Sequence, residues 1–531
     1  MDSPTLQHIP SGMNANVQQQ QLTLTIAFHP DTTQIGKQYR TNSRLVEISR
    51  LSPLFSVNQT HAEQSPLTDP YISRTPISLE KESKSNAESM WVLNKRGSTT
   101  NIASVTNPDI QSINMSESEL KSGVAITLGG RIVLIVHLTT PAPMHTEYDM
   151  GIIGVSDATR QARDLVTKVA SLKMPVLIRG ESGTGKELIA QAIHSCSPRK
   201  SAKLISINMG AISKELVNAE LFGSVKGAFT GAVSRNGCFL EANNSTLFLD
   251  EIGEAPVEVQ VALLRALETG VIQPVGSEQE IPLNVRIVAS TDANLEALIG
   301  QESFRMPLLQ RLSGLVIEML PLRRRREDIC CILRHFLLQS LKETGQLNKL
   351  LHCEPNGLYF WAWFFAQCST LEWPGNVRQL KNVATQLSVA LMGFDDVSRF
   401  NWQHFVETVI EQSNVAQAAR DNALNNMTEP SQTEALSQRK PKQISDEEVL
   451  AALQKYQWQI KLAATALNIS RTALYQKIDA SEHLRRAADI PACEIQTVYA
   501  NCAGNLDKMI PTLKISKQAL RRRLHELGLY A

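Results

Sequence analysis

The chain has 531 residues, a hydrophobic fraction of 43% and a net charge of +1, a length that exceeds one hydrophobic core and predicts roughly three or four domains. No apolar run approaches the ~20 residues that span a membrane, and no basic segment followed by an apolar one opens the chain, so we expect neither a membrane protein nor a secretory signal. Eight scattered cysteines without a CxxC pair favour reduced thiols in a cytoplasmic location over a zinc cluster or a disulfide framework.

The N-terminal part of the chain alternates short β-type runs with turn residues. Residues 1–21 are polar and end in glutamines, which is typical of a disordered tail. The later run VAITLGGRIVLIVHL predicts two strands paired across Gly129-Gly130. Residues 22–139 are therefore predicted to form an all-β sandwich, followed by a linker at 140–150.

The central region changes to strands that alternate with helical segments, which predicts a parallel α/β sheet. We expect an α/β subdomain over 151–322 and a helical lid over 323–395. A linker is predicted over 396–443, because the residues from 411 onward are rich in Asn, Gln, Ser and Ala.

The C-terminal region contains an internal repeat with an offset of 46 residues. Five positions of the first copy recur in the second: Glu448, Leu467, Ile469, Ser470 and Leu474 match Glu494, Leu513, Ile515, Ser516 and Leu520. The first copy has a Ser-x-x-Glu capping box, a short alanine-rich helix, a turn and a second helix, which predicts an all-α helix-turn-helix over 444–482. The second copy, over 490–531, is predicted to be irregular, because Pro511 stands inside its short helix.

A phosphate-binding loop is predicted after the apolar strand 176–178. Glycines let backbone amides turn inward, the following helix adds its dipole, and the lysine reaches the terminal phosphates of ATP. The Ser or Thr that usually follows the lysine is a glutamate here, so Mg²⁺ must depend on water and on a later carboxylate. The predicted loop consists of Gly180, Glu181, Ser182, Gly183, Thr184, Gly185, Lys186 and Glu187.

That carboxylate is predicted at the end of a second apolar strand, 246–249. Asp250 would hold the hydrated Mg²⁺ and Glu251 would polarise the attacking water. A strand that ends in Asp-Glu is by itself more often a solvated strand end. With the phosphate loop ahead of it, the sequence predicts an ATP-hydrolysing site.

A glycine- and alanine-rich segment between the two motifs exposes one aromatic side chain: Gly227, Ala228, Phe229, Thr230, Gly231 and Ala232. With the motifs above, residues 151–390 resemble the AAA+ domain of sigma-54-dependent transcription activators of the NtrC class. The resemblance implies that this loop contacts sigma-54 in RNA polymerase. Without the neighbouring motifs, a tight hairpin with Phe229 in the core would be the favoured interpretation of the segment.

The resemblance also assigns roles to single residues. It implies that Asn208 pairs with the water-activating glutamate, that one or both of Arg305 and Arg311 reach a neighbouring subunit's site, and that Arg378 senses the nucleotide. It implies a hexameric ring that assembles from a dimer at rest.

Three positions depart from the family pattern. Asp292, after Thr291, alters the first nucleotide sensor, Pro307 replaces an acid, and 224–225 replace His-Glu. These changes put the hydrolysis rate and nucleotide sensing in doubt.

The first helix-turn-helix resembles the Fis-like DNA-binding domain of the same family, which implies binding to upstream enhancer DNA. A plain helical hairpin remains the alternative. Basic residues of the second copy suit phosphate contacts better than base contacts. The residues predicted to contact DNA are Ser470, Arg471, Thr472, Tyr475, Gln476 and Lys477 in the first copy, and Lys517, Arg521 and Arg522 in the second.

The N-terminal region resembles a degenerate forkhead-associated (FHA) domain, a fold that binds phosphothreonine. The matching segments are Ile35-Gly36-Lys37, Ile72-Ser73-Arg74 and, as a closing hairpin, 120–124. Lys37 replaces the family's arginine, and no histidine follows Ser73 at the usual interval. A phosphoprotein partner and a purely structural sandwich both remain open.

Together these features predict an ATP-dependent activator that binds upstream DNA and remodels sigma-54 RNA polymerase. The alternative is a nucleotide-gated DNA-binding scaffold with weak hydrolysis, which Asp292 and Pro307 motivate. A helicase or unfoldase motor explains neither the loop at 227–232 nor the terminal helix-turn-helix.

Overall fold

The computed structural model describes residues 20–57, 64–83, 89–105, 107, 110–140, 150–228, 234–414, 448–450, 474, 490–501, 509, 513, 520, 523 and 524. The chain divides into two compact units, Met1–Asp421 and Asn422–Ala531. No helix among the described residues is long and apolar enough to cross a membrane.

The N-terminal domain is a sandwich of two antiparallel sheets, as the sequence predicts. One sheet has the order β2-β1-β9-β8-β6 and contains β1 (Gln21–Phe28), β2 (Gln38–Thr41), β6 (Ile102–Ser104), β8 (Val124–Leu128) and β9 (Ile132–Thr139). The other has the order β3-β4-β5-β7 and contains β3 (Leu45–Ile48), β4 (Ile77–Ser83), β5 (Ser89–Asn94) and β7 (Ser112–Ser116). Alternate residues of β1 and β9, such as Leu24 and Leu134, fill the core between the sheets.

The two predicted hairpins of this domain have different outcomes. β8 and β9 pair across Gly129 and Gly130, whose φ angles of 58° and 69° are in the left-handed region that glycine tolerates. The hairpin predicted at 120–124 is wrong, because Glu117–Ser122 forms helix α1. Ser116 and Glu119 make a reciprocal capping box at its start, which stabilises a helix there.

The α/β subdomain is built on a parallel sheet of order β11-β12-β15-β10-β16. Its strands are β10 (Val176–Gly180), β11 (Ile205–Asn208), β12 (Thr246–Asp250), β15 (Arg286–Thr291) and β16 (Leu315–Met319), with a separate hairpin of β13 (Val271–Ile272) and β14 (Ile281–Pro282). Its helices are α2 (Asp157–Ala170), α3 (Lys186–Ser195), α4 (Lys214–Phe222), α5 (Cys238–Glu241), α6 (Val257–Thr269), α7 (Leu295–Gly300) and α8 (Met306–Leu312). Because the strands are parallel, their carboxyl ends meet at one edge of the sheet, where ligands bind in such folds.

The helical lid is longer than the sequence predicts. It contains α9 (Arg326–Glu343), α10 (Asn348–Leu351), α11 (Pro355–Thr370), α12 (Asn376–Ala390) and α13 (402–414). The boundary predicted at 395 is therefore too early, and the first part of the predicted linker belongs to the fold. Trp402, Val406 and Val409 recur at helical spacing and are buried in the lid core.

The second unit includes helix α14 (Ala492–Asn501). Val449 and Leu474 are buried, and so are Ile495 and Leu520, each 46 residues further along. The two copies of the repeat thus bury equivalent positions. All nine residues predicted to contact DNA lie outside the described residues.

Candidate nucleotide-binding site

The predicted phosphate loop follows β10 directly and ends at the first residue of α3. Gly183 and Gly185 have φ angles of 75° and 103°, so the loop uses conformations that side chains disfavour. The amides of the first turn of α3 have no helical acceptor and carry the positive end of its dipole. This is the arrangement that binds phosphate groups at helix N-termini.

Lys186 is 9% exposed and folds back on the loop. Its Nζ donates to the carbonyls of Gly180 at 2.8 Å and Glu181 at 3.2 Å. Burial lowers the pKa of this ammonium group, while Asp292, Asp250 and Glu251 act in the opposite direction. A buried cation thus faces three carboxylates, as expected of a lysine between a triphosphate and a metal-binding acid.

Asp250 lies at the end of β12 between two polar neighbours. Asn208 Nδ2 donates to Asp250 Oδ2 at 3.0 Å, and Ser290 Oγ donates to Oδ1. The sequence assigned Asn208 to Glu251, but the register of the parallel strands places Asn208 opposite Asp250. Ser290 was not predicted, and its only signal was a small polar residue within the buried run of β15.

Glu251 has a left-handed backbone, with φ of 54° and ψ of 46°. A side chain at Gly210 would meet Glu251 Oε2 at 2.6 Å, so this carboxylate lies over the turn that follows Asn208. Strained backbone of this kind persists where its surroundings hold it, and functional sites are frequent cases.

The two sensor positions have different surroundings. Thr291 is fully buried, and its Oγ1 accepts a hydrogen bond from the Ala293 amide at 3.1 Å. Asp292 is exposed, yet it is the strongest of the charges that act on Lys186. The altered sensor residue therefore adds negative charge to the nucleotide side of the site.

The lid contacts the loop directly. Arg378 donates to Ser182 Oγ at 3.2 Å, and the Val377 amide donates to the Gly183 carbonyl at 2.9 Å. Three residues that sequence reasoning missed join these contacts: Arg323, Arg325 and Asn376. Their motif signal is weak, because an arginine-rich run and an asparagine after glycine are common in surface turns.

Arg305 precedes α8 directly, Arg311 lies in its last turn, and both are exposed. Arg311 Nε lies 3.4 Å from Glu268 Oε1 in an ion pair whose partners are 57% and 45% exposed. Both guanidinium groups therefore lie on the surface of the domain.

The base of the loop at 227–232 is held by two bridges. Ser224 and Arg235 exchange backbone hydrogen bonds of 3.0 and 2.9 Å, and the Val225 amide donates to the Val275 carbonyl at 3.1 Å. Gly227 and Ala228 continue from this base, and Phe229, Thr230, Gly231 and Ala232 lie outside the described residues. The described residues on the two sides of the segment are therefore joined to each other at Ser224 and Arg235.

The residues of the sandwich that suggest phosphothreonine binding have partners of their own. Lys37 Nζ donates to Ser65 Oγ at 2.9 Å. The cation beside Ser73 is instead Arg50, whose amide donates to the Ser73 carbonyl at 3.0 Å and whose Nε donates to the Ile72 carbonyl at 2.9 Å.

The residues of the nucleotide site carry the chemical groups that a magnesium nucleotide requires. The loop supplies amides and a buried ammonium group for phosphates, and Asp250 supplies carboxylate oxygens, the ligands that Mg²⁺ prefers. Glu187 does not compensate for the missing hydroxyl, since its Oε1 accepts from Gln191 Nε2 at 3.2 Å. Thr184 Oγ1 donates to the Glu181 carbonyl at 2.7 Å and is turned into the loop.

Three protein-family models match consecutive parts of the chain. Residues 152–318 match "Sigma-54 interaction domain", residues 323–422 match "AAA+ ATPase lid domain", and residues 440–480 match "Bacterial regulatory protein, Fis family". The central region is thus an AAA+ P-loop NTPase domain with its lid.

Relatives share different parts of the chain. The DNA-binding transcriptional regulator NtrC of Escherichia coli K12 is 45% identical over 243 residues, which are 46% of this chain and 50% of that protein. The transcriptional regulatory protein ZraR of Salmonella typhimurium is 36% identical over 338 residues, which are 63% of this chain and 70% of that protein. The chain spans about half the length of the NtrC relatives it matches. A crystal structure of NtrX from Brucella abortus in complex with ATP is 28% identical, covers 62% of this chain and 68% of that chain, and has a TM-score of 0.43.

Proposed function

The chain belongs to the family of sigma-54-dependent transcriptional regulators, and from this premise we propose that it is an ATP-driven activator that remodels sigma-54 RNA polymerase into an open complex. The observation that supports the proposal most directly is the buried Lys186 at the start of α3, facing Asp250, Glu251 and Asp292. A cation, a metal-binding acid and a second acid at one edge of a parallel sheet are the parts that phosphoryl transfer to water requires.

Each part has a distinct role in this proposal. Lys186 and the loop amides bind the phosphates, and Asp250 holds Mg²⁺, which neutralises charge on the transferring group. Glu251 accepts a proton from the attacking water, and Asn208 and Ser290 keep the Asp250 carboxylate in place. Arg305 and Arg311 act on the site of a neighbouring copy, which makes a homo-oligomeric ring, hexameric in the family, part of the proposal.

Steady-state ATP hydrolysis by the full chain tests the motor. We expect the Lys186→Ala variant to lose phosphate binding and to fall to background turnover, while the wild type hydrolyses ATP. If the wild type turns over no faster than this variant, the motor assignment fails and the DNA-binding scaffold with weak hydrolysis is favoured.

The loop at 227–232 tests the coupling to polymerase. The backbone bridge between Ser224 and Arg235 joins the two ends of this segment, and we propose that the segment contacts sigma-54 through Phe229. Phe229→Ala should keep ATP hydrolysis and abolish open-complex formation on a sigma-54 promoter. Retained activation by this variant would contradict the contact.

The C-terminal unit provides the DNA contact in this proposal. The match to Fis-type regulators covers the first copy of the repeat, and the buried positions of the second copy support a related fold. We propose that upstream enhancer DNA is the ligand of the first copy and that the second adds phosphate contacts through Lys517, Arg521 and Arg522. A protein acting on chromosomal DNA works in the bacterial cytoplasm.

The N-terminal sandwich takes a phosphoprotein partner in this proposal. Arg50 beside Ser73, rather than Lys37, supplies the cation next to the serine loop. A phosphothreonine peptide should bind the full chain more tightly than its unphosphorylated form, and Arg50→Gln should remove the difference. Equal binding of both peptides would favour a purely structural sandwich.

A further inference from the structure

The second residue of the phosphate loop carries a negative charge next to the place where a polyanion binds. Glu181 does not point into solvent, since its side chain is 24% exposed and is bound on both oxygens. Arg323 donates to Oε2 at 2.8 Å and to Oε1 at 2.5 Å, a bidentate pair. Asn376 Nδ2 adds a third hydrogen bond, to Oε2 at 3.3 Å.

The partners of Glu181 belong to the parts of the domain that connect the sheet to the lid. Arg323 lies in the short 3-10 helix Leu322–Arg324, which joins β16 to α9. Asn376 is fully buried at the start of α12, and its Oδ1 accepts from the Leu322 amide at 2.9 Å. The Glu181 carboxylate thus joins the phosphate loop both to the 3-10 helix Leu322–Arg324, which we call the hinge, and to the lid.

The rest of the loop repeats this pattern. Asn376 Nδ2 also donates to the Ser182 carbonyl at 3.0 Å, and the next loop residue, Gly183, accepts from the Val377 amide. Arg325, which is buried, donates to the Thr184 carbonyl at 3.0 Å. Four consecutive loop residues therefore have a hinge or lid partner, and among these contacts only the one at Glu181 joins two formal charges.

We infer that Glu181 and Arg323 form a charge-compensated tie that sets the position of the phosphate loop by the position of the lid. The inference rests on the proposed function, because it concerns the affinity of that same site for ATP. Both residues are positioning residues, and neither needs to touch the nucleotide. The compensation matters because an unpaired carboxylate within the loop repels phosphates, whereas an unpaired arginine attracts them.

If the two charges compensate each other, the two single variants should change the affinity for ATP in opposite directions. Arg323→Gln removes the positive charge beside the Glu181 carboxylate and should weaken ATP binding roughly tenfold, in the range found for coupled neighbours. Glu181→Gln removes the negative charge beside the guanidinium group and should leave ATP binding equal to that of the wild type or tighten it. The double variant removes both charges and should return to within about threefold of the wild type.

The tie to the lid predicts a different result for turnover. The two single variants and the double variant all lack the bidentate bond. Their kcat for ATP hydrolysis should therefore lie below that of the wild type, even though the double variant regains affinity for ATP. Arg323→Lys keeps the charge without the planar fork, so its affinity should be near that of the wild type with a reduced kcat.

The experiment is equilibrium titration of the full-length variants with ATP, followed by initial-rate kinetics on the same preparations. Arg265→Gln is the matched control, because Arg265 forms an exposed surface pair with Glu280 and should change neither quantity. Circular dichroism melting of each variant establishes that it is folded.

Two outcomes distinguish failure of the proposed function from failure of the tie. A wild type that does not bind ATP would overturn the proposed function itself. A wild type that binds ATP, with both single variants weakened and the double variant weakest, would overturn the tie and leave an ordinary structural ion pair.

Discussion

The nucleotide site and the contact between the sandwich and the lid are built in opposite ways. The site collects polar residues that end parallel strands, such as Asn208 and Asp250, and each belongs to a short motif. The contact, which we call the seam, is made by apolar residues far apart in the chain. Phe28 and Phe365 meet there with ring centroids 4.9 Å apart. The residues of the nucleotide site can be recognised from short stretches of sequence. The residues of the seam are brought together only in the folded chain.

The apolar sequence of two sandwich strands reflects their burial at the seam. β1 and β9 are buried on both faces: Leu134 fills the sandwich core, while Val133 and Ile135 join the core of the lid. A strand with one face in water alternates apolar and polar residues, whereas a continuous apolar run indicates that both faces are covered. The run IVLIV in β9 therefore required a second layer outside the sandwich, and the lid provides it.

The sandwich also contacts the α/β subdomain, through polar residues. Arg40 lies 3.0 Å from Asp157 at the start of α2, and Arg160 donates to Gln38 Oε1 at 2.6 Å. The sandwich thus contacts both the lid and the α/β subdomain, and Arg378 of the lid in turn donates to Ser182 of the phosphate loop.

The largest expected effect belongs to the nucleotide site. Glu251→Gln keeps the size of the side chain but removes the proton acceptor, so kcat for ATP hydrolysis should fall by about 10²–10⁴-fold. ATP binding, measured by titration, should be retained, because the loop and Lys186 are unchanged. The control is Glu258→Gln, an exposed position on α6, which should hydrolyse ATP normally. Undiminished turnover by Glu251→Gln would assign the proton acceptor to another group.

The second effect tests whether the seam is a cohesive interface. Phe28→Ala removes a fully buried ring from it and should cost about 3–5 kcal/mol of the free energy of unfolding, measured with urea. The sandwich should then unfold in a transition separate from that of the lid. Leu24→Ala, which lies in the sandwich's own core, is the control and should lower stability without separating the transitions. A single shifted transition for Phe28→Ala would show that Phe28 is not what couples the two domains.

The sequence predicted the strand-end motifs well because phosphate binding demands particular residues at fixed spacing. The loop 180–187 and Asp250 follow their strands where expected. Ser290, Arg323 and Asn376 were missed because their roles depend on which distant segments become neighbours. The hydrogen bond from Asn208 to Asp250 was not predicted, because it depends on strand register, which a single strand does not reveal.

Element boundaries failed for local and for tertiary reasons. The capping box at Ser116 and Glu119 was visible in the sequence and predicts α1 without any tertiary information. Helix α13 was missed although Trp402, Val406 and Val409 recur at helical spacing, and these side chains pack on the lid. Helical stability of this kind comes from burial of one face rather than from propensity.

The smallest effect concerns the polar part of the sandwich surface that faces the seam. His137 on β9 is buried, and its Nε2 lies 2.8 Å from Thr25 Oγ1. Burial, with a contribution from Arg40, lowers the pKa of His137 to about 3, so the folded chain keeps this ring neutral. The unfolded chain takes up a proton near pH 6.5, so the stability that His137 confers falls as the pH drops below that value.

His137→Gln isolates this contribution from that of Glu327, whose pKa burial raises to about 8 and which acts in the opposite direction. Between pH 6.5 and pH 5 the wild type should lose about 2 kcal/mol relative to His137→Gln in the free energy of unfolding. Urea denaturation of both proteins at the two pH values measures the difference. A difference that does not change with pH would mean that the folded chain protonates His137 as readily as the unfolded one, and hence that this part of the sandwich is open to water.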